Sequence, residues 1–174
     1  MFEVVTYGHP SLRKKAAAVE RFDDELREFV ERLAQTMHVK DGVGLAATQV
    51  AVPLRVAVVD VTDGEQPPLV LVNPLIVWSS PESGDYEEGC LSVPDINLCV
   101  RRPVEVSVRA CDAEGSEYHI EKAGGLLARA LQHEIDHLDG ILFVDRVSSL
   151  QRQLVEGKLK KMARAQRNRS REHR

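Results

Sequence analysis

Residues 132–140, QHEIDHLDG, hold the side chains best suited to chemistry: His133 and His137 stand four apart, with Glu134 beside the first. On a helix, residues four apart lie on one face, one turn from each other. Two imidazoles so placed can ligate one divalent ion at about 2.0–2.1 Å. Glu134 need not bind; it is placed to take a proton from a water whose pKa the ion lowers to about 7. The spacing therefore reads as a metal-dependent hydrolase. The opposing reading is a solvated helix carrying two chance histidines. Leu131, Ile135 and Leu138 speak against it, because they give the same helix an apolar face to bury.

A catalytic ion usually has three protein ligands and one open position. A motif extended to a third histidine fails here, since the place after Gly140 is taken by Phe143. Two candidates remain open on spacing alone. Glu156 is the next glutamate downstream and would make the site a metallopeptidase, although it lies in a basic stretch. Cys90, in the turn-like segment EGCLSVP, offers a soft thiolate. Cys99 and Cys111 lie in strand-like runs and read as packing. Asp136 and Asp139 read as supporting or surface groups rather than ligands.

The elements that must position these residues follow from periodicity. Leu26, Phe29, Val30, Leu33 and Met37 recur at helical spacing, so a helix is expected over Asp24–Val39 with Asp23 as its cap. The segment GVGLAATQV follows, with two glycines that permit unusual backbone angles or close approach of another chain. Strands are expected over residues 54–61 and 69–78, which are rich in β-branched side chains. Another is expected over 104–110, paired with 117–122 across Asp112-Ala113-Glu114-Gly115. Pro53, Pro74 and Pro103 mark edges or bends. Helical spacing returns over Gly125–Leu138 and again from Ser148, where Val155, Leu159 and Met162 share a face. The pattern is α+β: antiparallel or mixed sheets around a central metal-binding helix, flanked by an N-terminal and a C-terminal helix.

At 174 residues the chain fits one catalytic domain over 1–174, with a basic helix or tail over about 148–174. Apolar residues make up 43% and charged residues 29%, ordinary proportions for a soluble globular protein. Three cysteines without framework spacing point to a reducing compartment. No apolar run approaches the roughly 18 residues of a membrane span, and the start, MFEVVTYGHPSLRKK, has no secretory leader. A cytoplasmic protein without a membrane partner is expected. The net charge of −4 hides a split: from Leu150 onward nine Lys or Arg oppose two Glu, a net +7, leaving −11 for the body. An acidic body with a basic arm could face nucleic acid.

Three stretches together resemble the signature motifs of the peptide deformylases: residues 42–49 (GVGLAATQ), 88–92 (EGCLS) and 132–137 (QHEIDH). They stand in the family's order and separations, and the resemblance covers essentially the whole chain. It implies Cys90 as the ligand beside His133 and His137, around an ion that in the family is usually Fe(II), with zinc, nickel or cobalt able to occupy the site. It implies removal of the N-formyl group from nascent peptides that begin with formylmethionine, releasing formate. Glu134 would be the general base, and the Gln49 amide with the Leu91 backbone N–H would hold the oxyanion. Val43, Gly44 and Gly89 would meet the peptide backbone, and Val43, Leu126, Arg129 and Ala130 would wall the methionine slot, with the Arg129 charge kept in water. Glu88 would bond to the motif backbone or to Arg102. The basic arm would dock on ribosomal RNA, as it does in similar bacterial enzymes. Two positions depart from the family: Asn97 stands where several relatives carry an arginine that binds the peptide backbone, and Ala51 where glycine often follows the first motif. A reading from a different class is a ribosome-associated binding protein whose metal site is only structural.

Overall fold

Asp23 starts the first helix by accepting the Leu26 backbone N–H at 3.1 Å, satisfying a donor that a helix end otherwise leaves open. This helix, α1, runs Asp24–Val39 and buries Leu26, Val30, Leu33, Thr36 and Met37. The computed structural model describes residues 1–172; Arg174, the last cation of the basic arm, lies outside them, as does the side chain of Arg171.

Seven strands follow: β1 Gly44–Ala46, β2 Val56–Val59, β3 Leu69–Ser79, β4 Ser83–Cys90, β5 Val93–Pro103, β6 Glu105–Cys111 and β7 Glu117–Gly124. Helices α2, Gly125–Leu138, and α3, Ser149–Glu172, complete the chain. Five strands form one antiparallel sheet in the order β1-β2-β3-β6-β7, while β4 and β5 form a separate two-stranded ribbon. The α+β expectation, with antiparallel sheets around a central helix, holds.

The uniform apolar character of β2, VAVV, has a direct cause: the strand is covered on both faces. Ala57 and Val59 join Leu131, Ile135 and Leu138 of α2 in one core cluster, while Val56 and Val58 join Leu26, Val30, Leu33 and Met37 of α1 in another. The sheet is thus a layer between the two helices. A third cluster lies under the ribbon, where Ile96, Leu98 and Val100 pack with Leu12, Phe143 and Leu159 of α3.

Two expectations are corrected. The second strand is Val56–Val59 rather than 54–61, because Leu54 leaves the ladder to form a parallel bridge with Ala17. EGCLSVP does carry the expected turn between strands: β4 runs through Cys90, Leu91 and Ser92 turn, and β5 begins at Val93. Cys99 is exposed instead of packed, since it falls on the outward register of β5, while Cys111 does pack against the α1 cluster. The prolines behave as breaks. Pro74 sits where β3 slips register against β6, next to Asn73 at φ 52°, whose side chain bonds both the N–H and the carbonyl of Val19.

Candidate metal centre and active site

Helix α2 is buried nearly all round, and its two sides carry different chemistry. Leu131, Ile135 and Leu138 face the sheet. His133 and Glu134 face a cleft between β1 and the ribbon, with His137 behind it, directed at Cys90 and His133. The Nε2 atoms of His133 and His137 stand 3.2 Å apart, and Cys90 Sγ lies 3.3 Å from His137 Nε2. One ligand atom from each of Cys90, His133 and His137 lies within 4.8 Å of the other two. A thiolate with two imidazoles suits several divalent ions, and three donors leave a tetrahedral ion one open position. The donors present therefore fit a single catalytic ion.

The electrostatics set the two rings apart. Burial pushes His137 well below its ordinary value, so the ring is neutral and has a lone pair to give. Burial acts the same way on His133, but its hydrogen bonds with Cys90 and Glu88 outweigh it and raise that group. Glu88 itself is pushed up by burial, yet His133 and Arg102 prevail and hold its carboxyl at about 2. Its Oε2 faces His133 Nδ1 at 3.1 Å and receives Arg102 Nη2 at 2.9 Å. A carboxylate behind a ligating imidazole fixes the ring's orientation and tautomer.

Glu134 is the unusual group. Burial pushes its carboxyl up to about 7, where one group can both take and return a proton near neutral pH. Its Oε2 is buried without a hydrogen-bond partner, as is His137 Nδ1. Gly44 makes room for it: a Cβ there would stand 2.8 Å from Glu134 Cδ.

Gln49 lies in the single turn Ala47–Val50 after β1 and is 1% exposed. Its Oε1 accepts the Ala46 N–H at 2.8 Å, which aims Nε2 at Ser92 Oγ, 3.2 Å, and Cys90 Sγ, 3.5 Å. The amide donor is thus held against the ligand cluster. The turn ends on Ala51 at φ 61°, a left-handed conformation in which glycine carries no steric cost.

The cleft has a volume of about 390 Å³, within the usual range for a small-ligand site. Val43, Gly44, Gly89, Leu126, Arg129 and Ala130 all line it, as do Gln49, Cys90, Leu91, His133 and Glu134. Val43 and Leu126 are partly exposed, apolar groups at a cleft wall. Arg129 stands at the cleft wall beside an aromatic ring. Its guanidinium carbon lies 4.4 Å from the centroid of the Tyr86 ring, and its Nε is buried. The guanidinium thus stacks on the ring at the cleft wall, while the residue as a whole is half-buried.

Glu156 is not near these groups. It is exposed on α3 and paired with Lys160 at 2.8 Å, which removes the metallopeptidase reading built on it. Asp139 is a surface partner of Arg55. Asp136 is buried and bonded to Arg102 and Arg146. The sequence reading missed Tyr86, Ser92, Arg146 and the full role of Arg102. For Arg102 a signal existed: Ile96, Leu98, Val100 and Arg102 alternate on one register of β5, so the arginine occupies a core-facing place. Asn97 lies outward, with Oδ1 2.6 Å from where a Gly89 Cβ would sit.

Residues 1–153 match the family model described as polypeptide deformylase. A peptide deformylase of Brucella suis biovar 1 is 49% identical over 156 residues, covering 88% of this chain and 89% of the relative. One from Phenylobacterium zucineum is 44% identical and covers 94% and 97%. Among solved structures, a peptide deformylase from Legionella pneumophila superposes with a TM-score of 0.88 at 42% identity, covering 95% of this chain and 97% of that one. One from Synechococcus elongatus in complex with actinonin gives 0.85 at 42% identity, covering 90% and 87%. On sequence and fold alike, this chain belongs to the polypeptide deformylase family.

Proposed function

We propose that Cys90, His133 and His137 hold one divalent ion, Fe(II) in the cell, and that Glu134, Gln49 and Leu91 carry out the family's reaction beside it. The chain is a hydrolase that removes the N-formyl group from peptides beginning with formylmethionine, releasing formate. The observation that carries the residue roles is the gathering of the thiol and both imidazoles within 4.8 Å, beside a buried carboxyl pushed up to about 7. Zinc, nickel or cobalt would fit the same donors.

Held by Cys90, His133 and His137, a divalent ion would supply an acidified water and Lewis-acid polarisation of the formyl group. Glu134 accepts the proton from the attacking water and returns it to the leaving amine, which its position and raised value both favour. The oxyanion that forms on the formyl oxygen meets Gln49 Nε2, already aimed by Ala46 and Ser92, and the Leu91 N–H in the turn between β4 and β5. Loss of one such donor costs about 2.7–4 kcal/mol of transition-state stabilisation. The peptide lies along Val43, Gly44 and Gly89, where glycine allows close approach, and its methionine side chain enters between Val43, Leu126, Ala130 and the Arg129–Tyr86 stack.

We read residues 1–174 as one catalytic unit of the cytoplasm, with the basic arm over 148–174 docking on ribosomal RNA. Among the described residues no helix is long and apolar enough to cross a membrane. Exposed Lys158, Lys161, Arg164 and Arg167 support the docking, while buried Leu159 anchors the helix; phosphate contacts by such cations are salt-sensitive and sequence-independent.

The test is anaerobic assay of formate release from a formyl-Met peptide, with metal analysis of the same sample. One ion per chain and released formate are expected. An iron-loaded preparation that yields no formate overturns the reading.

A further inference from the structure

The side-chain bonds behind His133 do not stop at Glu88. Arg102 grips Glu88 with Nε and Nη2, at 2.5 and 2.9 Å, and turns Nη1 to Asp136 Oδ2 at 2.8 Å. Asp136 is in turn clasped by Arg146, whose Nε and Nη2 each donate at 2.6 Å. The series runs without a gap from a side chain 41% exposed at Arg146, through Asp136 at 10% and Arg102 at 3%, to His133 at 12%. It links the segment just before α3 to a ligand on α2 by way of both ribbon strands.

Charge explains why the outer member matters. Glu88, Arg102 and Asp136 together carry one excess negative charge in a buried place, and Arg146 cancels it. Without Arg146, Asp136 keeps only Arg102 as a partner. It then competes with Glu88 for that guanidinium, and the two-pronged hold on Glu88 is what keeps its Oε2 on His133 Nδ1. We propose that Arg146 and Asp136 are positioning residues, which set the orientation of the His133 imidazole through Arg102 and Glu88 and so govern how firmly the site keeps its ion. This rests on the deformylase reading above.

Partners one step behind a ligand typically change metal affinity or activity 10–100-fold when removed. Arg146 lies further out and half exposed, so about a 3–10-fold effect is expected. The experiment compares wild type, Arg146→Ala, Arg146→Lys and Arg152→Ala, each zinc-loaded. It measures the rate of metal loss to EDTA, then kcat and KM after reloading, then the visible spectrum of the cobalt-substituted protein. Arg152 is the control: it ties α3 to Asp145, Val144 and Tyr7 at 2.9, 2.8 and 3.2 Å without touching Asp136.

Arg146→Ala should lose zinc about 3–10-fold faster, with lowered kcat, unchanged KM and a shifted cobalt spectrum. Arg146→Lys, which restores charge but only one prong, should recover part of each. Asp136→Asn combined with Arg146→Ala should cost less than the two losses added. Metal retention and spectrum like wild type in both Arg146 variants overturn the inference, as does equal loss in Arg152→Ala. If Arg146→Ala does not fold, a lysine variant indistinguishable from wild type in all three readouts overturns it as well. A wild type that releases no formate instead overturns the deformylase reading.

Discussion

The five-stranded sheet and the β4–β5 ribbon press on opposite sides of α2, and they hold it by different means. Against the sheet the contact is apolar, Leu131, Ile135 and Leu138 packed on Ala57, Val59 and Val106. Against the ribbon it is directional: Glu88 on His133, Arg102 on Asp136, and Cys90 beside His137. Dispersion sums over many weak contacts and tolerates small changes of shape. A charged hydrogen bond depends on one geometry. Side-chain changes on the sheet side should therefore move stability, and those on the ribbon side activity.

The largest effect that would break this division lies at Glu134. Glu134→Gln keeps the shape and removes the base, so formate release should fall about 10²–10⁴-fold. Thermal unfolding should stay at or above wild type, because the neutral amide removes the cost of burying an ionised carboxylate. A large loss of melting temperature would show that the ribbon side also carries stability. A smaller effect is expected on the other side. Ile135→Val, assayed by urea unfolding, should cost about 0.5–1.5 kcal/mol, and kcat of the folded fraction should stay within a factor of two or so. A tenfold loss of kcat there would mean that packing steers His133 and Glu134 directly. The smallest concerns Ala51, whose φ of 61° strains the turn that carries Gln49. Ala51→Gly should raise stability by about 0.5–1 kcal/mol without changing kcat. Lost activity at unchanged fold would make that strained turn part of the aim of the Gln49 amide.

The same division explains what the sequence revealed. Helices α1 and α2 were legible because apolar residues recur at helical spacing, and the long strand β3 because it is rich in β-branched side chains. β4 was not: SGDYEEGC has no apolar alternation, since a two-stranded ribbon offers this strand little core to face. The ligand pair on α2 followed from spacing, whereas Cys90 needed the three motifs taken together. Its partners lie 43 and 47 residues away, and no local periodicity connects them. The Tyr86–Arg129 stack has the same origin, a meeting of β4 and α2 that only the folded chain creates. Arg102 could have been found by following the register of β5.

The pairing of β3 with β6 has a topological consequence. These two strands are neighbours in the sheet, yet the whole β4–β5 hairpin lies between them in the chain. The framework is therefore continuous without the hairpin, which is an excursion from one sheet strand to the next. Cys90, Leu91 and Glu88 all ride on it. The sheet ladder closes without the hairpin, so the hairpin's place is set by its own core cluster and by its bonds to α2, and the thiol reaches the two imidazoles only through those contacts.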